Sequence, residues 1–275
     1  MEPISLVILL VMGTLAGAIN AAVGSGSLLT LPVLLALGIP PGVAVRTNTI
    51  GILFSTIGSV YGYRREIAQE KNNLGLLTIV AAIGATAGAL LLLVSPSQAL
   101  DVVVPVLIVV ALAMVIFQKR LTAALRAARE RRSERRRAAG EHGADRGLAA
   151  SSSPYRSPAL VSSLGLASVY GGYFTAAQGV LYLGILGTFT GRTMGSVNSV
   201  KNLLSLVVNL AAALVYVIAH ITLGVEIIWI ATAAIAVGAL LGGYFGAHLA
   251  KRMPEWLLRG VIVAVALFAL ARQVL

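Results

Sequence analysis

An all-α, polytopic membrane fold is predicted by three features of the sequence. They are a scarcity of charge, a series of apolar runs long enough to span a bilayer, and landmarks that recur at a constant offset. Of the 275 residues, 58% are hydrophobic and 11% charged, where a soluble domain carries about 25% charged residues to keep its surface wet. Apolar runs occupy 4–23, 74–94, 102–117, 203–219, 227–247 and 257–271. Each approaches the ~20 residues that a helix rising 1.5 Å per residue needs to cross the hydrocarbon core. One such run fits a buried core helix of a soluble protein; six require a bilayer. The runs are continuous and rich in Ala, Leu and Val, unlike the alternating segments of about ten residues that build a transmembrane barrel.

The first segment, Pro3 to Val23, reads as a retained helix. Glu2 is its only flanking charge, and Gly17 and Asn20 interrupt the apolar core that a secretory signal would show. No cysteine is present, which excludes disulfides and thiolate metal sites.

At an offset of 154, Gly17 falls on Gly171, Asn48 on Asn202, Gly84 on Gly238 and Gly88 on Gly242. The chain therefore divides into a first transmembrane repeat at 1–119, a basic linker at 120–157 and a second repeat at 158–275. Each half opens with a Gly-rich broken segment, 4–42 or 159–191. A helix with a polar head follows, and then two long apolar helices, giving about eight long spans plus broken or short segments. Eleven of the 21 Lys and Arg residues lie between Lys119 and Arg156. The run from Arg129 to Arg137 reads as a basic helix entering a Gly/Ser-rich linker, which anchors topology on the cytoplasmic side rather than binding nucleic acid. If the second repeat is inverted, 16 of the 21 basic residues face the cytoplasm. Arg64, Arg65, Lys71 and the turn at Lys251–Arg252 are then inside, with both termini outside.

Where a membrane helix breaks, the freed backbone groups must face a cavity or other protein. In carriers, breaks at matching places in two halves mark the substrate site, because half-helix N-termini present N–H groups and a positive dipole. The first such break spans Asn20–Ser27, with Gly24, Ser25 and Gly26 as its candidate site residues, and the second spans Gly171–Gly179, with Gln178 and Gly179. Gly17, Gly84, Gly88, Gly238, Gly242 and Gly243 read instead as close-packing positions. The polar heads are Arg46–Thr47–Asn48–Thr49 and Asn198–Ser199–Val200–Lys201–Asn202. Arg46 suits either an interfacial anchor or the site. Lys201 lies nine positions past Arg192 with apolar sequence beyond it, and all ten acidic residues sit near segment ends or in polar loops. A lysine at that depth points to an anionic partner, with nearby Asn, Ser and Thr as hydrogen-bond donors. His220 and His248 read as interfacial, as do Trp229, Trp256, Tyr61 and Tyr63. No nucleophile–base pair or metal-ligand cluster can be assembled, so neither an enzyme nor a cofactor is expected.

The pattern Gly17-x6-Gly24–Ser25–Gly26-x5-Pro32, then Thr47–Asn48–Thr49–Ile50–Gly51 and Gly62–Tyr63–Arg64–Arg65–Glu66, resembles the TauE/SafE sulfite exporter family, also called TSUP. In the second half Gly171–Gly172–Tyr173–Phe174, Gln178–Gly179 and Asn198-x2-Lys201–Asn202–Leu203–Leu204 extend the likeness. Ser25 and Ser27 stand where the family more often has glycine. The resemblance implies a bacterial inner-membrane carrier for sulfite, organosulfonates or related sulfur-containing anions. It places substrate binding at Gly24, Gly26, Thr47, Asn48, Gln178, Gly179, Asn198, Lys201 and Asn202. The alternatives are import or exchange of another small solute, or a membrane scaffold acting through the basic loop. A homo-oligomer stays open.

Overall fold

The computed structural model describes residues 2–70, 74–138 and 154–249. Lys71, the centre of the linker, the Lys251–Arg252 turn, Trp256 and the apolar run 257–271 lie outside them, as does the side chain of His248. The described residues form ten α-helices, one short 3-10 turn at Pro154–Arg156, and no strand. We number the helices α1 (Pro3–Ala22), α2 (Ser27–Ala36), α3 (Pro41–Gly62), α4 (Arg64–Glu70) and α5 (Gly75–Val94). They continue with α6 (Ser97–Ala138), α7 (Pro158–Phe174), α8 (Gln178–Phe189), α9 (Met194–Leu223) and α10 (Trp229–Leu249). Six are long and apolar enough to cross a membrane, and α2 and α8 are shorter apolar helices.

The polar heads lie deeper than the sequence suggests. Pro40 and Pro41 start α3 about two turns before Asn48, because proline is preorganised for the first helical turn. Thr193 caps α9, its Oγ1 accepting the Ser196 N–H, so Lys201 falls two turns inside. The long α6 runs about 63 Å at 1.5 Å per residue. Its apolar part is Ser97–Phe117, and the basic run Arg129–Arg137 continues the same helix.

Small residues fix the packing. Gly13 of α1 faces Ile235 of α10, Gly17 faces Ala239 and Gly243, and Gly246 meets Ala18. These two helices run in the same direction, so close that a Cβ on Gly17 or Gly242 would enter the facing backbone. In the same way Gly84 of α5 faces Gly165 and Ser168 of α7, and Gly88 faces Val169 and Tyr173. Gly51 and Gly58 of α3 lie on Ile235 and Leu240 of α10, again running parallel. By contrast α3 and α9 are antiparallel. Tyr63 at the end of α3 meets Asn198 near the start of α9, while Arg46 reaches Glu226 just beyond the end of α9.

Two hydrophobic cores result. One joins buried residues of α1, α2, α3, α6 and α10 with the far ends of α5 and α9 and with Phe174, Ala176, Ala177 and Val180 at the second break. The other joins α5, α7 and α8 with the first half of α9 and Tyr155. Many large apolar side chains, among them Ile4, Ile83, Val94, Val102 and Phe245, point outward. That arrangement suits a lipid-facing surface, since lipid tails solvate apolar side chains as well as a core does.

Candidate functional site

Both first segments break, and the breaks touch. After α1 the chain passes Gly24, held at φ +80, and restarts as α2. After α7 it turns through Thr175 and Ala177, at φ 61 and 58, and restarts as α8 at Gln178. The second unwinding therefore falls on Thr175–Ala177, while Gly171 and Gly172 stay helical and let α7 approach its neighbours. The Gly179 N–H donates to the Gly24 carbonyl at 3.0 Å, and a Cβ on either glycine would strike the other's Cα. Neither α2 nor α8 has a side-chain cap at its N-terminus. Two half-helix starts, each with the positive end of its dipole, thus meet in the middle of the protein.

Polar groups gather around this junction. Ser25, Asn48, Gln178, Lys201 and Asn202 are each at most 2% exposed. Asn48 Oδ1 accepts the Thr30 hydroxyl, leaving Nδ2 without a partner. Ser25 Oγ and Gln178 Nε2 also make no hydrogen bond, and Gln178 folds over Gly171. A buried donor left unpaired costs roughly 1–3 kcal/mol, so three of them around two uncapped helix starts describe a place prepared for an acceptor. Thr49 Oγ1 and Thr175 Oγ1 pair across the halves at 3.0 Å.

The C-terminal end of α1 is held from the other half. Lys201 Nζ donates to the carbonyls of Asn20 at 2.9 Å and Ala21 at 3.3 Å. Asn202 Nδ2 and Asn198 Nδ2 donate to Ala21 O as well, at 3.2 and 3.3 Å. Asn20 Nδ2 donates to Ser55 Oγ at 2.7 Å. Three side chains that the sequence singles out, Lys201, Asn202 and Asn198, therefore converge on one helix end, whose carbonyls carry the negative end of the dipole.

The structure separates Arg46 and Thr47 from that cluster. Arg46 Nε donates to Glu226 O at 3.1 Å, and Thr47 Oγ1 accepts the Ile228 N–H at 3.1 Å, so both secure the entry into α10. His220 closes the end of α9, with Nδ1 2.7 Å from Val225 O and Nε2 3.2 Å from the indole N–H of Trp229. Tyr63 departs from the interfacial reading. It is 4% exposed, its hydroxyl accepts Asn198 Nδ2, and burial pushes its phenol above the ordinary value. Glu70 is also buried, accepting Ser196 Oγ at 2.8 Å and pairing with Arg192 at 3.6 Å. Partners 126 positions apart left no local signal for this contact.

The described residues, all-helical with six apolar spans and two broken helices meeting at a buried polar junction, have the architecture of a membrane transporter. Residues 9–272 match the family described as "Sulfite exporter TauE/SafE", and the chain belongs to that family of membrane transporters. The "Probable membrane transporter protein YfcA" of Escherichia coli K12 is 25% identical over 269 residues, covering 96% of this chain and 88% of its own length. The "Probable membrane transporter protein ORF9" of Sinorhizobium sp is 33% identical over 105 residues, 38% of this chain and 40% of its own. A "Probable membrane transporter protein" of Haemophilus influenzae is 30% identical over 99 residues, 36% of this chain and 37% of its own. No solved structure matches.

Proposed function

We propose that the protein carries a small oxyanion, sulfite or an organosulfonate, across the bacterial inner membrane by alternating access. The observation that carries this reading is the junction at Gly24 and Gly179. There the unpartnered donors Ser25 Oγ, Asn48 Nδ2 and Gln178 Nε2 surround two uncapped helix starts. In this reading Gly26 belongs to the same helix start, while Lys201, fully buried, brings the positive charge from the adjoining end of α1, where Asn198 and Asn202 hold the Ala21 carbonyl. Arg46 and Thr47 stand farther off, at the entry to α10. Among the described residues no group of three or more metal-ligating side chains forms. The three free groups flanking the helix starts, Ser25 Oγ, Asn48 Nδ2 and Gln178 Nε2, can all donate, which suits an anion better than a cation. The free acceptors Asn198 Oδ1 and Asn202 Oδ1 belong to the side chains that hold the end of α1.

Inverted repeats are supported by order and direction. Helix starts at Pro3, Ser27, Pro41 and Gly75 recur at Pro158, Gln178, Met194 and Trp229. The α1–α10 pair and the α5–α7 pair exchange under that correspondence, and α3 runs opposite to its counterpart α9. With the basic continuation of α6 in the cytoplasm, Arg64, Arg65 and the start of α9 face inward, and Arg46 with Glu226 faces outward.

The test is uptake of radiolabelled sulfite into proteoliposomes, competed by a panel of sulfonates. Asn48→Asp puts a carboxylate where the oxyanion would bind and is expected to abolish uptake. Wild-type uptake by that variant would remove the junction as the site. Replacing the arginines of 129–137 by glutamine together with deleting 139–153, which leaves α6 and the buried Tyr155 in place, is expected to spare uptake; its loss would favour the scaffold alternative.

A further inference from the structure

The asymmetry between the two breaks calls for an explanation. Each leaves a helix C-terminus with orphan carbonyls inside the protein. At the end of α7 neutral groups satisfy them: Tyr216 donates its hydroxyl to Gly172 O at 2.8 Å and Tyr170 to Ala176 O at 2.9 Å. At the end of α1 the carbonyls of Asn20 and Ala21 take a lysine that is 0% exposed. Capping alone does not require the charge, since Asn198 and Asn202 already donate to Ala21 O. Burying an ammonium costs several kcal/mol, and a cation at membrane depth that has no carboxylate partner among the described residues marks a working group. In carriers with broken helices, the carbonyls at a half-helix C-terminus are where a coupling cation binds.

We propose that Lys201 is a tethered coupling cation. Its ammonium occupies the place that a sodium ion would otherwise fill between the Asn20 and Ala21 carbonyls, and its proton travels with the substrate. The inference rests on the junction being the transport site. The geometry accommodates both protonation states. An ammonium has three N–H donors, two of which go to the carbonyls, leaving the third for the anion. When the site opens, that third N–H bond breaks, its electron pair stays on nitrogen, and the proton passes to water as the anion leaves. The neutral amine keeps two N–H groups, enough to hold the same two carbonyls, so α1 stays capped through the cycle.

The groups facing Lys201 leave its charge to this role. Asn20 and Ala21 face it from α1, Asn198 and Asn202 from its own helix, and Ser55 and Tyr63 adjoin through hydrogen bonds to Asn20 and Asn198. Glu70 and Arg192 lie toward the start of α9, bound to Ser196 and to each other. Asn198 Oδ1 and Asn202 Oδ1 are buried acceptors without a partner, one helical turn apart, and can pass a proton through water from the Tyr63 end.

The experiment uses the full chain in proteoliposomes with sulfite as probe, together with thermal melting in detergent. In the wild type, a pH gradient drives sulfite accumulation, and replacing all Na+ by choline leaves accumulation and melting temperature unchanged. In Lys201→Gln, gradient-driven accumulation is lost, and whatever counterflow remains no longer varies with pH. In Lys201→Ala, Na+ but not choline raises the melting temperature, because the vacated carbonyls take the ion. A sodium requirement in the wild type, or accumulation driven by the pH gradient in Lys201→Gln, overturns the proposal. If the wild type carries no sulfite at all, the substrate assignment fails separately. The melting experiments then decide: Na+ stabilisation confined to Lys201→Ala supports the tethered cation, and its absence overturns it.

Discussion

Replacing Gly24 by alanine tests whether the two breaks are held together as the structure has them. Two costs combine there. A non-glycine residue at φ +80 carries backbone strain of roughly 1–3 kcal/mol. The added methyl would also collide with the backbone of Gly179, which cannot rotate away as a side chain can. Forcing an extra carbon into a packed interior costs about 1–3 kcal/mol more. The sum, about 2–6 kcal/mol, is a large share of the ~5–15 kcal/mol that keeps a typical domain folded. Gly38 supplies the control, since it has nearly the same φ, +79, and nothing within 4 Å of its Cβ position. Gly38→Ala therefore pays the strain alone. Thermal melting of the two purified variants in one detergent should put Gly24→Ala clearly below Gly38→Ala. Each kcal/mol is worth about 2–4 °C in a chain of this size. Sulfite flux should fall in Gly24→Ala and persist in Gly38→Ala. Equal melting losses in the two variants would refute the argument, because the contact with Gly179 would then add nothing.

Two further outcomes follow from named contacts. Thr47→Val keeps the shape but leaves the Ile228 N–H at the start of α10 without its acceptor; a loss of about 1–3 kcal/mol is expected by thermal melting, and Thr47→Ser should restore most of it. Tyr63 lies just beyond α3, and its buried phenol is held above the ordinary value chiefly by desolvation. Its contribution to stability is present below about pH 10, the unfolded phenol value, and is lost as pH rises through the folded one. Tyr63→Phe should lessen the alkaline fall in melting temperature without moving the acid side.

The membrane class, five of the six apolar spans and the first break were legible because each leaves a local mark: length, hydropathy, or a Gly–Ser–Gly interruption. The remaining span, α3, carries a polar head that interrupts its apolar run, and the run 257–271 lies outside the described residues. The second break was readable only to within a few residues, since Thr175 and Ala177 adopt left-handed backbone that nothing in their identity announces. Lys201, Asn202 and Asn198 could be picked out as polar residues at helix heads. What they touch could not be read, because Asn20 and Ala21 lie about 180 positions earlier. Arg46 and Lys201 look equivalent in sequence, one cation ahead of each paired asparagine. Their surroundings differ because Arg46 sits less than two turns into α3 and stretches back to Glu226, whereas Lys201 faces the end of α1. Tyr63, read as interfacial, and Glu70, read as one of the acidic residues near segment ends, turn out buried for a related reason. A tyrosine or glutamate at a helix end ordinarily faces water, and only the approach of α9 buries them.

The glycine-lined contact of α1 with α10 also bears on how the chain is made. At a synthesis rate of about 5–20 residues per second, α10 emerges some 10–40 s after α1. For that interval the face bearing Gly13 and Gly17 has no Ile235 or Ala239 to receive it. Neither half can complete its packing before the other exists, because α7 likewise rests on α5 of the first half. Insertion and assembly are thus separate events. The first helix waits in the lipid, and a quality-control protease or insertion chaperone would meet it in that state.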